Sequence, residues 1–150
     1  MAQVYVLAEG LVRAPAARVY ECIADFRQHH PRFLPSNFSN LEVQEGGVGA
    51  GTVITFTATA ARRTRYYRMR IDEPEPGRVL TESDLNSSMV STWTVTPRGD
   101  NSLVRIETRW NGASGIKGFF ERTFAPRAMR RIYAEELRRL DQYARSLAPV

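Results

Sequence analysis

The two histidines and the single cysteine carry the most reactive side chains of this sequence. His29 and His30 are adjacent, and neighbours on a helix point about 100° apart, so they would make a poor metal clamp. The sequence has no Cys/His/Asp cluster at the spacing of a metal site, and we expect no metal. A histidine near a cavity mouth could act as a general base, since its ordinary pKa is about 6.5. We nevertheless expect both histidines to be exposed at a helix end.

Cys22 lies between Glu21 and Ile23 in the middle of a predicted helix. We expect a buried, unreactive thiol, because reactive cysteines occupy electropositive and partly exposed surroundings. The sequence also has no Gly-x-Ser-x-Gly elbow and no HExxH pair. The sequence therefore assigns no catalytic residue, and we expect no cofactor.

The amino terminus and the cysteine count bear on the cellular location. Met1–Tyr5 lacks the basic and apolar regions of a secretory signal. No apolar run approaches the roughly 18 residues that a membrane span needs. One cysteine cannot form an internal disulfide, which suits a reducing compartment. We expect a cytoplasmic protein with no integral membrane association.

A glycine-rich stretch, Gly46–Gly51, has the composition of a phosphate-binding loop. A dinucleotide site needs such glycines between a parallel strand and the start of a helix. Here a β-rich run follows from Thr52. The stretch is therefore interpreted as a hairpin or bulge in which glycine permits unusual backbone angles.

The basic residues give the chain a net charge of +5, and all but Lys117 are arginines. Acids are interspersed among them, including glutamates within and beside the densest stretch, Arg122–Arg139. Mixed charges at helical spacing are typical of a solvated helix face, so we expect no nucleic-acid partner. An alternative is that this helix binds an anionic surface or nucleic acid, with an affinity that falls steeply as salt rises.

The first part of the chain predicts a strand and then helices. Val4–Val12 is β-rich, and Pro15 suits the first turn of a helix because its missing N–H has no partner there. We expect this helix to continue until it is broken at His29–Pro31. Arg32–Pro35 then predicts a short turn or helix.

The middle of the chain predicts an antiparallel meander. Six β-rich runs are separated by short turns: Leu41–Gln44, Thr52–Ala60, Tyr66–Asp72, Arg78–Asp84, Ser88–Thr96 and Leu103–Trp110. In the last two runs, alternation predicts an inward face formed by Met89, Ser91, Trp93, Val95, Val104, Ile106, Thr108 and Trp110. One side of the sheet therefore needs a covering element.

The end of the chain predicts that cover. Apolar residues recur at spacings of three or four, which indicates a helix of about five turns: Met129, Tyr133, Leu137, Leu140, Ala144 and Leu147. A second apolar group upstream, at Ile116, Phe119, Phe120 and Phe124, predicts a shorter helical piece. Because Pro126 follows Ala125, we expect a break or kink between the two pieces.

The order of these elements resembles the START-like (SRPBCC) superfamily, which includes polyketide cyclases, dehydratases and lipid-transfer proteins. The resemblance is carried by Leu11–Tyr20, Ile23–Asp25, His30–Pro35, Gly46–Thr52 and Glu73–Leu80. It extends over residues 1–150 as a single domain. It implies the α+β helix-grip fold, a curved seven-stranded antiparallel sheet wrapped around a long C-terminal helix, with two short helices between strands 1 and 2. The Pro31–Pro35 stretch is also similar to the coenzyme Q-binding branch.

From the residues alone, the inward side chains form a packed core. The resemblance implies instead a cavity between sheet and helix, whose ligand-binding residues would be Phe33, Leu34, Phe56, Tyr67, Met69, Met89, Ser91, Trp93, Thr108, Trp110, Phe120, Phe124, Met129 and Tyr133. Alternation places Tyr66, Arg68 and Arg70 on the solvated outer face. If the strand had the opposite parity, Arg68 would point inward and bind a carboxylate or enolate.

The function expected on these grounds is binding or transport of a hydrophobic small molecule, lipid-like or polyketide-like. The alternative is a polyketide cyclase, aromatase or dehydratase that uses the same cavity. We favour binding, because the predicted inward faces carry no strong acid/base pair. We expect a monomer or homodimer.

Overall fold

A computed structural model describes residues 3–60, 62–112 and 115–147, and the side chains of residues 115–124 lie outside the described part. Seven strands and three helices follow one another in the order β-α-α-β-β-β-β-β-β-α. Their bounds are β1 Gln3–Val12, α1 Ala16–Ala24, α2 His30–Phe33, β2 Phe38–Glu45, β3 Val53–Ala60, β4 Arg63–Glu75, β5 Val79–Asp84, β6 Val90–Arg98, β7 Asn101–Asn111 and α3 Gly115–Ser146.

The strands form one antiparallel sheet in the order β1-β7-β6-β5-β4-β3-β2. Each predicted strand is present, with ends that differ by a few residues because turn residues continue the ladders. The seven-stranded sheet, the two short helices and the long final helix together confirm the helix-grip fold.

Alternation along the strands separates the two faces of the sheet. In β7, Ile106, Thr108 and Trp110 are buried, whereas Arg105 and Arg109 are exposed. The same period of two buries Ser91, Trp93 and Val95 in β6. Helix α3 covers this face with a buried stripe, Tyr133, Leu137, Leu140 and Ala144. The predicted inner face and its cover are therefore confirmed.

Helix α3 corrects the expectation of two pieces. It is continuous from Gly115 to Ser146, with Pro126 inside it. An interior proline removes one backbone hydrogen bond and crowds the preceding turn, but it need not end a helix. The predicted break at Ala125–Pro126 is therefore wrong, because the helix continues through Pro126, whereas the kink given as the alternative stays a prediction.

Helix α1 ends sooner than expected. It stops at Ala24, five residues before His29, rather than at His29–Pro31. The Asp25 side chain accepts hydrogen bonds from the backbone N–H groups of Arg27 and Gln28, over 3.0 and 2.9 Å. These two bonds satisfy backbone N–H groups that would otherwise bond within a longer helix, so the helix can end here. Cys22 is buried on this helix as predicted, and burial raises the pKa of its thiol to about 11.

The glycine-rich stretch is a structural hairpin between β2 and β3. Gly47 accepts a hydrogen bond from the Phe26 N–H, and the Gly49 N–H donates to the Ala24 carbonyl. Both bonds join the hairpin to the end of α1. The stretch opens no helix, so the hairpin interpretation is confirmed. In the part of the chain that is described, no helix is long and apolar enough to cross a membrane.

Candidate ligand cavity

A cavity of about 610 Å³ lies between the inner face of the sheet and helix α3. Most of the residues predicted to bind a ligand line it: Leu34, Phe56, Tyr67, Met69, Met89, Ser91, Trp93, Trp110, Met129 and Tyr133. Strand alternation directs those of β3 to β7 inward, and helical spacing places Met129 and Tyr133 on the facing stripe. The walls are therefore mainly aromatic, with two thioether side chains from the sheet region and one from the helix.

Two predicted residues lie behind the walls rather than in them. Phe33 is fully buried, with its ring centroid 4.7 Å from that of His30 and 6.2 Å from that of Trp93. Thr108 is fully buried beneath the cavity surface. Both support the wall from its far side. Phe120 and Phe124 lie outside the described side chains.

Thr108 joins two wall residues through hydroxyl groups. Its Oγ1 lies 2.7 Å from Ser91 Oγ and 2.6 Å from the Tyr133 hydroxyl oxygen. Burial raises the pKa of Tyr133, so its phenol stays protonated. Three hydroxyl protons serve two hydrogen bonds, which leaves one O–H for a group in the cavity.

His30 is the first functional group that sequence analysis misplaced. It was expected to be exposed, but it is 3% exposed and lines the cavity. Its ring stacks on Phe26, and its Nδ1 lies 2.7 Å from the Ile23 carbonyl oxygen. A carbonyl only accepts, so Nδ1 carries the proton and Nε2 presents a lone pair. Burial lowers the pKa of His30 to about 4, which keeps the ring neutral.

Glu136 is the second missed group. It lies on α3, lines the cavity, and has a side chain only 4% exposed. Within the described part of the chain its carboxyl has no hydrogen bond; the closest basic atom is His30 Nε2, 3.8 Å from Oε2. Burial, followed by the charge of Glu82, raises the pKa of Glu136 well above its usual range. This shift favours the protonated form of the carboxyl.

Glu82 is the third missed group. It lies on β5 two residues after the buried Leu80, so alternation directs it into the cavity. The Trp93 Nε1–H donates to its Oε2 over 3.3 Å. Burial raises the pKa of Glu82 to about 7, against the opposing effect of the Trp93 hydrogen bond. The alternation of β5, which is inward at Leu80, is the sequence signal for this position.

The arginines of β4 divide between the two faces. Arg68 and Arg70 are exposed on the outer face, where Arg68 Nε donates to Gln44 Oε1 over 2.9 Å. This confirms the predicted parity and removes the alternative in which Arg68 points inward. Arg63 and Arg65, on the opposite parity, line the cavity while remaining exposed. They mark its solvent-facing end, whereas Glu136 and His30 mark its buried end.

The arrangement of these side chains also bears on metal binding. Among the residues that the structure describes, no group of three or more histidine, cysteine, aspartate or glutamate side chains is arranged to hold a metal ion. The polar groups at the buried end of the cavity are instead suited to hydrogen bonding and proton transfer.

Comparisons with known proteins agree with this geometry. The chain is similar to the KanY protein, with 41% identity, a TM-score of 0.86, and coverage of 97% of this chain and 100% of that chain. It shares its fold with the Zhui aromatase/cyclase from Streptomyces sp. R1128, with 19% identity, a TM-score of 0.73, and coverage of 96% and 94%.

The fold is also that of norcoclaurine synthase from Thalictrum flavum, with 17% identity, a TM-score of 0.71, and coverage of 99% and 90%. No curated protein matches the chain. The family model described as polyketide cyclase/dehydrase and lipid transport matches residues 6–145. With its sheet, cover and cavity, this chain belongs to the polyketide cyclase/dehydrase and lipid transport family.

Proposed function

We propose that this protein binds a hydrophobic small molecule, lipid-like or polyketide-like, in the cavity between the sheet and α3. The observation that carries the proposal is a space of about 610 Å³ with aromatic and methionine walls. Pockets for small ligands measure roughly 300–1,000 Å³ and are mostly apolar with a few placed polar groups. Interiors without such a role are close-packed and leave few voids.

The side chains of the walls suit a flat or flexible apolar ligand. Phe56 and Tyr67 are stacked, with ring centroids 5.4 Å apart, and Phe38 meets Phe56 edge-on. Met69 and Met129 adapt to irregular shapes because their side chains are unbranched and polarizable. When Thr108 donates one of its two hydrogen bonds, one O–H of Ser91 or Tyr133 is left to donate a neutral hydrogen bond to a ligand oxygen.

A blocking substitution tests this proposal. Ala58 lines the cavity on β3, whereas its neighbour Thr57 lies on the other face of the strand. We expect Ala58→Trp to abolish binding of 2-naphthol, measured by isothermal titration calorimetry, because the indole occupies the ligand's space. Thr57→Trp is the matched control and should bind 2-naphthol within about threefold of the unmodified protein.

Two results would contradict the proposal. One is equal binding by both tryptophan variants and the unmodified protein, which would place the ligand elsewhere. The other is the absence of any co-purified ligand in native mass spectrometry together with no thermal shift across a panel of lipids and polyketides.

A second candidate function is catalysis on the bound molecule, as in a polyketide cyclase, aromatase or dehydratase. It is supported by the inward carboxyls of Glu82 and Glu136, together with the neutral imidazole of His30. A carrier protein needs only apolar walls and hydroxyl groups in its cavity. Carboxyls facing that cavity would lower its stability without a role in carrying the ligand. Substitution of these residues separates activity from binding.

A further inference from the structure

We propose that Glu82 and Glu136 form an acid–base pair that interconverts the ketone and enol forms of a hydrophobic ligand held between them. This inference rests on the proposed function, since the ligand must first occupy the cavity. The substrate class is a carbonyl compound with a hydrogen on the adjacent carbon, attached to a flat apolar body.

The two carboxyls belong to opposite walls of the cavity. Glu82 projects from β5 in the sheet, and Glu136 projects from the covering helix α3. A flat ligand between sheet and helix therefore has one carboxyl on each side. This placement allows one group to meet the carbonyl oxygen while the other meets the adjacent carbon.

Glu136 has the character of a hydrogen-bond donor. Its carboxyl is buried, lines the cavity and has no hydrogen bond within the described part of the chain. The proton on His30 Nδ1 is committed to the Ile23 carbonyl, so the imidazole offers Glu136 no proton. A protonated carboxyl in apolar surroundings donates to a carbonyl oxygen and stabilises the charge that develops there.

Glu82 has the character of a general base. The Trp93 indole N–H holds one of its oxygens and leaves the other available. Burial raises its pKa to about 7, so a substantial fraction is ionised near neutral pH. A base whose pKa lies near the working pH is ionised in a large fraction of molecules and still binds a proton strongly. The different surroundings of the two carboxyls thus divide their roles.

The proposed step is balanced without a further reactant. The ionised Glu82 removes a proton from the carbon next to the carbonyl, and the electrons of that C–H bond form a C=C bond. The carbonyl π electrons move to oxygen, which takes the proton of Glu136. The products are an enol, a protonated Glu82 and an ionised Glu136, and the reverse step regenerates the ketone and both carboxyls.

Other titratable groups line the same cavity and bear on the pH profile. His30 from α2 and Tyr133 from α3 face the buried end, and Tyr67, Arg65 and Arg63 of β4 face the outer part. Tyr133 and His30 stay neutral near pH 7, since burial raises the pKa of the first and lowers that of the second. We therefore expect the rate to rise as Glu82 ionises and to fall only when Glu136 loses its proton.

The test follows deuterium uptake by 2-tetralone, a flat apolar ketone, in D₂O by mass spectrometry. We expect the unmodified protein to accelerate uptake above buffer at the same pD. Glu82→Gln should lower the rate by about 100-fold or more, and Glu136→Gln by about 10-fold or more. Glu135→Gln is the matched control, because its exposed carboxyl pairs with Arg138 and Arg139 outside the cavity. It should leave the rate unchanged.

Binding measured on the same proteins separates the two proposals. Calorimetry with 2-naphthol should give similar affinities for the unmodified protein and both glutamine variants, which also verifies that the variants fold. If 2-tetralone binds but exchanges no faster than in buffer, or if the glutamine variants match the unmodified rate, the acid–base pair is refuted and ligand binding stands. If neither 2-tetralone nor 2-naphthol binds the unmodified protein, both proposals are refuted.

Discussion

The carboxyl of Glu136 lies in a position that is unfavourable for stability. A carboxyl on a side chain only 4% exposed has lost most of its contacts with water, which lowers stability. The nearest base, His30, is held neutral and lies 3.8 Å away, so no ion pair offsets the cost. Residues that lower stability at a cavity wall are characteristic of functional sites.

The pH dependence of stability tests this description of Glu136. Folding raises the pKa of Glu136. The free energy of unfolding that this group contributes is therefore complete below its ordinary pKa of 4.5, and it is lost as the pH rises toward the pKa of Glu136 in the folded protein. Glu136→Gln has no such loss. We therefore expect the variant's stability relative to the unmodified protein to increase between about pH 5 and pH 8, reaching roughly 1 to 3 kcal/mol.

Urea denaturation at several pH values measures this difference. His30 has the opposite linkage, since its lowered pKa makes its contribution disappear as pH falls from 6.5 toward about 4. It is present in both proteins and largely cancels from the comparison. Glu135→Gln serves as the exposed control. A stability difference that is constant across the pH range would show that Glu136 does not titrate as described.

The sequence contained part of the information needed to find these residues. Glu82 shares the inward parity of Leu80, and Glu136 lies three residues after Tyr133, on the buried stripe of α3. Charged residues on surface helices are usually solvated. The sequence position of Glu136, next to Glu135, therefore does not indicate that its side chain is buried. The burial of His30 depends on where α1 ends, which is set by the side chain of Asp25 rather than by hydrophobic periodicity.

At the scale of elements, Glu73 of β4 joins the glycine-rich hairpin to helix α1. Its Oε1 accepts the Ala50 N–H over 2.7 Å, and its Oε2 accepts the Tyr20 hydroxyl over 2.6 Å. Burial and this bond raise the pKa of Tyr20, which keeps the phenol a donor. The hairpin and α1 are thereby held against the sheet at the side of the cavity.

Two glycines with similar backbone angles test this junction. Gly49 and Gly99 have φ of +69° and +62°, a region that side chains disfavour by roughly 1 kcal/mol or more. A Cβ at Gly49 would overlap the Glu73 carboxylate, whereas a Cβ at Gly99 would meet open space. We expect Gly49→Ala to lower the free energy of unfolding by about 1 to 3 kcal/mol more than Gly99→Ala.

Thermal or urea unfolding of the two variants provides the measurement. Equal losses in Gly49→Ala and Gly99→Ala would mean that Glu73 moves aside without cost and that the junction is not rigid. The double variant Gly49→Ala with Glu73→Gln should lose less stability than the sum of the two single variants, because both changes disrupt the contact of Glu73 with the hairpin.

The sequence predicted the strands and helices better than the points where they end or continue. Alternation in β6 and β7 assigned the inner face correctly, because one side of a half-buried sheet must be apolar. The ends of α1 and the continuity of α3 through Pro126 depend on packing and on individual side-chain bonds, which periodicity does not contain. Alternation assigned Thr108 to the correct face, but Thr108 and Phe33, both predicted to bind the ligand, are fully buried behind the wall.

At the scale of the whole molecule, the charges of α3 are distributed among local pairs. Glu135 contacts Arg138 and Arg139, and Asp141 contacts both Arg145 and Arg13 at the end of β1. This pattern supports a solvated helix face and a tie between the helix and the sheet. The absence of a nucleic-acid partner stays a prediction, as does the monomeric or homodimeric state.

The polarity of the side chains that line the cavity changes from one end of the cavity to the other. Exposed Arg63 and Arg65 lie at the solvent-facing end, aromatic and methionine side chains form the middle, and Glu136 and His30 lie at the buried end. A ligand with an apolar body and a hydrogen-bonding inner end matches this order. We therefore expect such a ligand to occupy this space.

Nuclear magnetic resonance of ¹⁵N-labelled protein titrated with 2-naphthol tests that claim most directly. We predict that the largest shifts fall on amides of wall residues such as Met69 and Ser91 and on the indole N–H of Trp93, which reports on Glu82 through its hydrogen bond. Shifts confined to the outer face of β4, at Arg68 and Arg70, or no shifts at saturating 2-naphthol, would contradict the claim.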